Sequence, residues 1–76
     1  MIIERLQPIF RDILDEPDLV VTAALSPADL AQWDSVAQVR LVLAVEEEFG
    51  IQFSTDDVSA FRTAGDFISA IRWATK

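Results

Sequence analysis

The sequence predicts an all-α fold: a four-helix bundle of three main helices and one short one, with a long loop between helices one and two. Three observations predict it. Apolar residues recur at spacings of three and four near the N-terminus. A stretch from Asp34 to Phe49 runs without proline or glycine and stops at Gly50. Two capping signatures, Ser54-Thr55-Asp56-Asp57 and Thr63-Ala64-Gly65-Asp66, stand in the C-terminal third. The 76 residues are expected to form one domain, 1–76, around one small core. Such a core rarely supplies more than about 3–5 kcal/mol of net stability, so the fold should deform readily.

Helix one is expected from Ile2 to Leu14, where Ile3, Leu6, Phe10, Ile13 and Leu14 form one apolar face. Pro8 is awkward in its interior, because its ring removes a backbone donor and can kink the helix. Pro17, Ser26 and Pro27 punctuate the segment Asp15 to Asp34, which shows no sustained helical period. This reads as a long connection anchored by Leu19, Val21, Leu25 and Leu30, with one helical turn capped at Ser26-Pro27-Ala28-Asp29.

Helix two, from Asp34 to Phe49, is the strongest, with Asp34 as its N-cap and Gly50 as its stop. The first capping box opens a short helix to about Phe61, and the second opens a helix to about Ala74. Asp56 and Asp57 are first-turn residues of the short helix; no calcium-loop spacing surrounds them.

Composition removes whole classes of chemistry. The chain has neither Cys nor His, which excludes disulfides, most transition-metal sites and Ser-His-Asp or Cys-His catalysis. No catalytic residue and no metal ligand is expected. Thirteen acidic residues against six basic ones give a net charge of -7, which repels phosphate backbones and anionic lipids and favours basic protein partners. The N-terminal segment lacks the basic start and apolar run of a signal peptide, so a cytoplasmic location is expected, and the chain is expected to be a monomer.

Helix two carries more apolar surface than one core face needs. Leu41, Val45 and Phe49, four apart, should face inward, while Val36 and Leu43 fall on another stripe with Arg40 and Glu47. An apolar strip beside charges suits a partner surface, where charge steers and apolar contact holds. Glu46, Glu47 and Glu48 lie near a helix C-terminus, where negative charge opposes the dipole. That placement hints at a role in recognition for Glu46 and Glu47. Trp33, just before the helix, is expected to pack over the loop.

The run Trp33-Asp34-Ser35-Val36 through Glu46-Glu47-Glu48-Phe49-Gly50-Ile51-Gln52-Phe53, closing with Asp66-Phe67-Ile68, resembles the acyl carrier protein family across nearly the whole chain. The tripeptide Asp34-Ser35-Val36 corresponds to the family's Asp-Ser-Leu motif. The resemblance implies that Ser35 accepts 4'-phosphopantetheine from coenzyme A, flanked by Asp34 and Val36. It also implies partners: a phosphopantetheinyl transferase, then acyl-loading, condensing and acyl-transferring enzymes. A phosphodiester on Ser35 would sit at a helix N-terminus, where free N–H groups and the dipole favour negative charge.

The sequence departs from the family at four positions. Val36 shortens the usual Leu, Trp33 replaces a small residue, and Ala37 and Arg40 stand where carriers of fatty acid synthesis commonly have acidic residues. These changes point away from the housekeeping fatty acid carrier and toward a discrete carrier of a polyketide, peptide or specialised lipid pathway. A peptidyl carrier shares the fold and the serine, but the acidic charge and the run Glu46-Glu47-Glu48-Phe49 look closer to acyl carriers. The reading from another class is an acidic helical interaction module with no covalent group, which predicts an unmodified Ser35.

Overall fold

The computed structural model describes residues 2–75. It contains α1 (Ile2–Ile13), a 3-10 turn (Pro27–Asp29), α2 (Ser35–Phe49), α3 (Thr55–Ala60) and α4 (Ala64–Ala74), and no strand among the described residues. The expected elements all form. Pro8 lies inside α1 without ending it. The donor it lacks would have met the carbonyl of Glu4 in the helix's first turn, and its ring is exposed.

The core is built where three helices meet. Leu6 and Phe10 of α1, Leu41, Val42 and Val45 of α2, and Ala64, Phe67 and Ile71 of α4 are buried together. Each large side chain so placed contributes roughly 1.5–3 kcal/mol relative to exposure. Helix α3 offers no fully buried residue and packs through the partly buried Val58.

A run of aromatic rings crosses this core. Trp33 meets Phe10 edge-on at 5.5 Å, and Phe10 meets Phe67 edge-on at 5.7 Å. Phe67 then meets Phe61 at 4.6 Å, and Phe61 meets Phe53 at 5.2 Å. The run joins five segments, and aromatic pairs of this kind contribute about 0.5–1.5 kcal/mol each beyond burial. Trp33 packs as expected, at 3% exposure.

The connection 14–34 is held by groups that other elements lend it. Gln7 of α1 brackets Val21: its Nε2 donates to the Val21 carbonyl at 3.0 Å, and its Oε1 accepts from the Val21 N–H at 2.9 Å. Arg11 Nε donates to the Leu19 carbonyl at 2.6 Å. From the other side, the first-turn N–H groups of α4 close on the same loop. Ala64 N donates to the Leu25 carbonyl at 2.8 Å and Gly65 N to the Ala23 carbonyl at 2.9 Å. These donors have no partner inside their own helix, so the loop satisfies what α4 leaves open. Val21 is buried at 2%, and Leu19, Leu25 and Leu30 pack partly buried against the core.

The far end of α2 is closed by Gly50, which adopts φ +64° while its N–H and that of Ile51 both reach the Glu46 carbonyl. Arg5 of α1 covers the acidic end. Its Nη2 donates to the Glu48 carbonyl at 2.9 Å and to Glu48 Oε2 at 3.0 Å, and its guanidinium lies 4.1 Å from the centre of the Phe49 ring. A cation from another helix thus offsets negative charge that opposes the α2 dipole. Glu46 turns inward instead: Oε2 accepts from the Phe53 N–H at 2.7 Å and fixes the α2–α3 loop.

Both C-terminal capping boxes form. Ser54 Oγ accepts from Asp57 N at 3.1 Å and Asp57 returns the bond to Ser54 N at 3.3 Å. In the second, Thr63 Oγ1 accepts from Asp66 N at 3.3 Å, while Asp66 Oδ2 accepts from the N–H groups of Arg62 at 2.7 Å and Thr63 at 3.0 Å.

Two outcomes are expected from this geometry. A Cβ on Gly65 would stand 2.8 Å from the Ala23 carbonyl oxygen, a backbone atom that cannot swing aside. Gly65→Ala should therefore push the loop from α4 and lower stability by about 1–3 kcal/mol, read as a fall in urea midpoint; an unchanged midpoint would refute the close approach. Asp66 has its carboxyl held below the ordinary 3.8, first by the Arg62 N–H and then by those of Thr63. Because its folded value is depressed, its stabilisation is present above about pH 4 and is lost as pH falls through the folded value. Asp66→Asn should flatten this acid-side loss in melts taken between about pH 5 and pH 2.

Candidate functional site

At the N-terminus of α2 the chain turns from extended to helical at Asp34, whose backbone has φ −100° and ψ −171°. Asp34 Oδ1 accepts from Ala37 N at 2.9 Å, and its carbonyl accepts from Gln38 N at 2.9 Å. The carboxylate is thereby committed to the helix start, which sets where the next residue stands. That residue, Ser35, is the first of the helix and is exposed, and its hydroxyl has no hydrogen-bond partner among the described residues.

Behind Ser35 the surface is walled by Trp33. The indole Nε1 donates to Gln38 Oε1 at 2.7 Å, which ties the last loop residues to the first turn of α2. A hollow of about 350 Å³ opens here, lined by Pro27, Trp33, Asp34, Ser35, Gln38 and Phe61.

The placement accounts for several residues singled out by sequence. Val36 is 68% exposed and Leu43 60% exposed, and both share the outer side of α2 with exposed Arg40 and Glu47. Leu41 and Val45 are wholly buried and Phe49 partly so, as their spacing implied. Val39, 55% exposed, joins Val36 and Leu43 and was missed, although its spacing of three from Val36 carries the signal. Glu46 departs from the set, because its half-buried carboxylate binds the Phe53 N–H. Ala37 is buried at 6%, so it presents nothing to a partner.

The chemistry available at this site is narrow. No group of acidic residues able to hold a metal ion occurs among the described residues, and the chain has no His or Cys to activate the Ser35 hydroxyl. An exposed, unbonded hydroxyl at a helix N-terminus suits a phosphodiester: the first-turn N–H groups of Ser35 and Val36 and the dipole favour its charge. The adjoining hollow leaves room for an attached arm. The residues present fit phosphopantetheine.

A family model, the phosphopantetheine attachment site, matches residues 4–71. The chain belongs to this family. Its carriers are non-catalytic, hold phosphopantetheine covalently as their cofactor, and depend on partner enzymes for the chemistry. The chain is 32% identical to the acyl carrier protein of Acidothermus cellulolyticus over 97% of its own length and 88% of that protein's. It is 34% identical to the acyl carrier protein of Thermosynechococcus vestitus, over 92% and 86% respectively.

Among solved structures it resembles the holo acyl carrier protein of Geobacter metallireducens, with a TM-score of 0.89 at 26% identity, over 96% of this chain and 84% of that one. The acyl carrier fold expected from the sequence is the fold observed. No helix among the described residues is long and apolar enough to cross a membrane.

Proposed function

We propose that Ser35 carries the 4'-phosphopantetheine arm and that the chain 1–76 works as one carrier domain, presenting acyl intermediates to successive enzymes. The observation that carries this reading is the Ser35 hydroxyl, exposed and unbonded at the first residue of α2, in the middle of a matching family region. Asp34 acts as the positioning residue: by capping α2 through Ala37 N it holds Ser35 at the helix mouth rather than in the loop. Once attached, the arm supplies a thiol that holds the acyl group as a thioester. The chain has no Cys of its own to take that group by exchange.

The outer side of α2 is the surface we assign to partners. Val36, Val39 and Leu43 supply the apolar contact, while Arg40 and Glu47, which have no ion pair among the described residues, supply charge that a partner can match. Val36 lies one residue from Ser35, so an enzyme seated here reaches the arm. The cationic Arg40 within this strip, together with Trp33, favours a discrete carrier of a dedicated pathway over the housekeeping carrier of fatty acid synthesis. The net charge of -7 opposes self-association and favours a monomer.

The chain incubated with coenzyme A and a broad-specificity phosphopantetheinyl transferase should gain the mass of one phosphopantetheine, with fragmentation locating it on Ser35. Ser35→Ala should gain none while keeping its helical circular dichroism, since the hydroxyl makes no internal bond. A modified alanine variant, or no gain by the parent beside a control carrier, overturns the assignment and favours the interaction module.

Glu47→Lys should slow modification about tenfold at low salt, the equivalent of about 1.4 kcal/mol, and leave thermal stability within about 0.5 kcal/mol of the parent. Glu47 is chosen over Glu46 because replacing Glu46 would also release the Phe53 N–H. Equal modification rates would remove Glu47 from the recognition surface.

A further inference from the structure

We infer that Trp33 closes the bundle core to the acyl chain, so that cargo on Ser35 rests in the outer hollow beside Phe61 and the carrier is suited to short acyl groups. The inference rests on the attachment of the arm at Ser35.

An apolar group on a surface arm gains by leaving water, and two places next to Ser35 could receive it. One is the core. Trp33 guards it, being at once a member of the buried core and a wall of the hollow beside Ser35. Its ring is fixed from several sides: edge-on against Phe10 at 5.5 Å, through Nε1 to Gln38 at 2.7 Å, and through its backbone N–H to the Leu30 carbonyl at 3.1 Å.

Behind it, Phe10 and Phe67 are wholly buried and in ring contact, with Leu6, Leu41 and Ile71 filling the remaining space. In four hollows formed by the described residues, Trp33 is the one member of this core among the lining side chains. A chain that entered would have to turn the indole, strand its N–H away from Gln38 and part close-packed rings.

The other place is the hollow itself. Phe61, partly buried, edge-on to Phe53 and tilted against Phe67, lines it together with Pro27 and Trp33. Its volume of about 350 Å³ lies at the low end of sites for small molecules, so part of the arm with a short chain fills it. A long chain overruns it into solvent.

The test loads the chain from butanoyl, octanoyl and hexadecanoyl coenzyme A, with intact mass establishing each acyl form on Ser35. Melting temperature and side-chain resonances are then compared with the holo form. The expected result is a melting temperature that does not rise with chain length, with shifts confined to the Trp33 indole, Gln38 and Phe61. A melting temperature that climbs with chain length, accompanied by shifts at Leu6, Leu41 and Phe67, overturns the inference while leaving Ser35 as the attachment point.

Trp33→Ala, or Trp33→Phe where the alanine variant loses its helical signal, should open the core and acquire that climb. A flat response in the variant removes Trp33 from the role. Failure to gain any acyl mass overturns the attachment reading and this inference together.

Discussion

The position of the connection 14–34 governs everything at the functional end of the molecule. The segment has no helical period, so its backbone groups must find partners elsewhere or lose contact with water uncompensated, at roughly 1–3 kcal/mol for each group left unmet. Gln7 and Arg11 reach it from α1, and the first amides of α4 reach it from the opposite side. Held in this way, the loop delivers Trp33 into the core and Asp34 onto the end of α2. Ser35 is exposed because its two predecessors are not free to move.

Helix α2 then divides its surface between two tasks. Leu41, Val42 and Val45 face the core; Val36, Val39 and Leu43 remain in water. Exposed valine and leucine in one strip add nothing to folding, and a helix serving only as a wall would have polar residues there. The acidic end of the same helix is less of a surplus than its composition suggests. Glu46 fastens the loop to α3 and Glu48 binds Arg5, while Glu47 retains no such tie among the described residues. A run of three like residues thus splits into an internal brace, an interhelical pair and a free charge.

Local signals were legible in the sequence and long-range polar contacts were not. Asp34, Ser54, Thr63 and Gly50 act through backbone groups within a few residues, so their types and spacing disclosed the helix ends. Trp33 and Val21 could be placed inside because a large apolar side chain has few other favourable positions. Gln7, Arg11 and Arg5 gave no such signal: each is an ordinary polar residue on a helix, and its partner lies between 8 and 43 positions away. Gly65 was visible only as part of a capping box. Its need to admit the Ala23 carbonyl arises from a loop whose path the sequence does not specify.

The site shows the same division. Ser35 was singled out because its motif is local, and Val36 and Leu43 because helical spacing places them outside the core. The wall behind Ser35 depends instead on Phe10, Phe61 and Gln38 arriving from three segments. A carrier with a small core has to keep that core intact while enzymes pull at the arm beside it. In this chain Trp33, which lines the hollow beside the proposed attachment point, is held by ring contact, by its indole N–H and by its backbone. On the inference drawn above, stability and exclusion of the cargo are served by one side chain, and neither changes without the other.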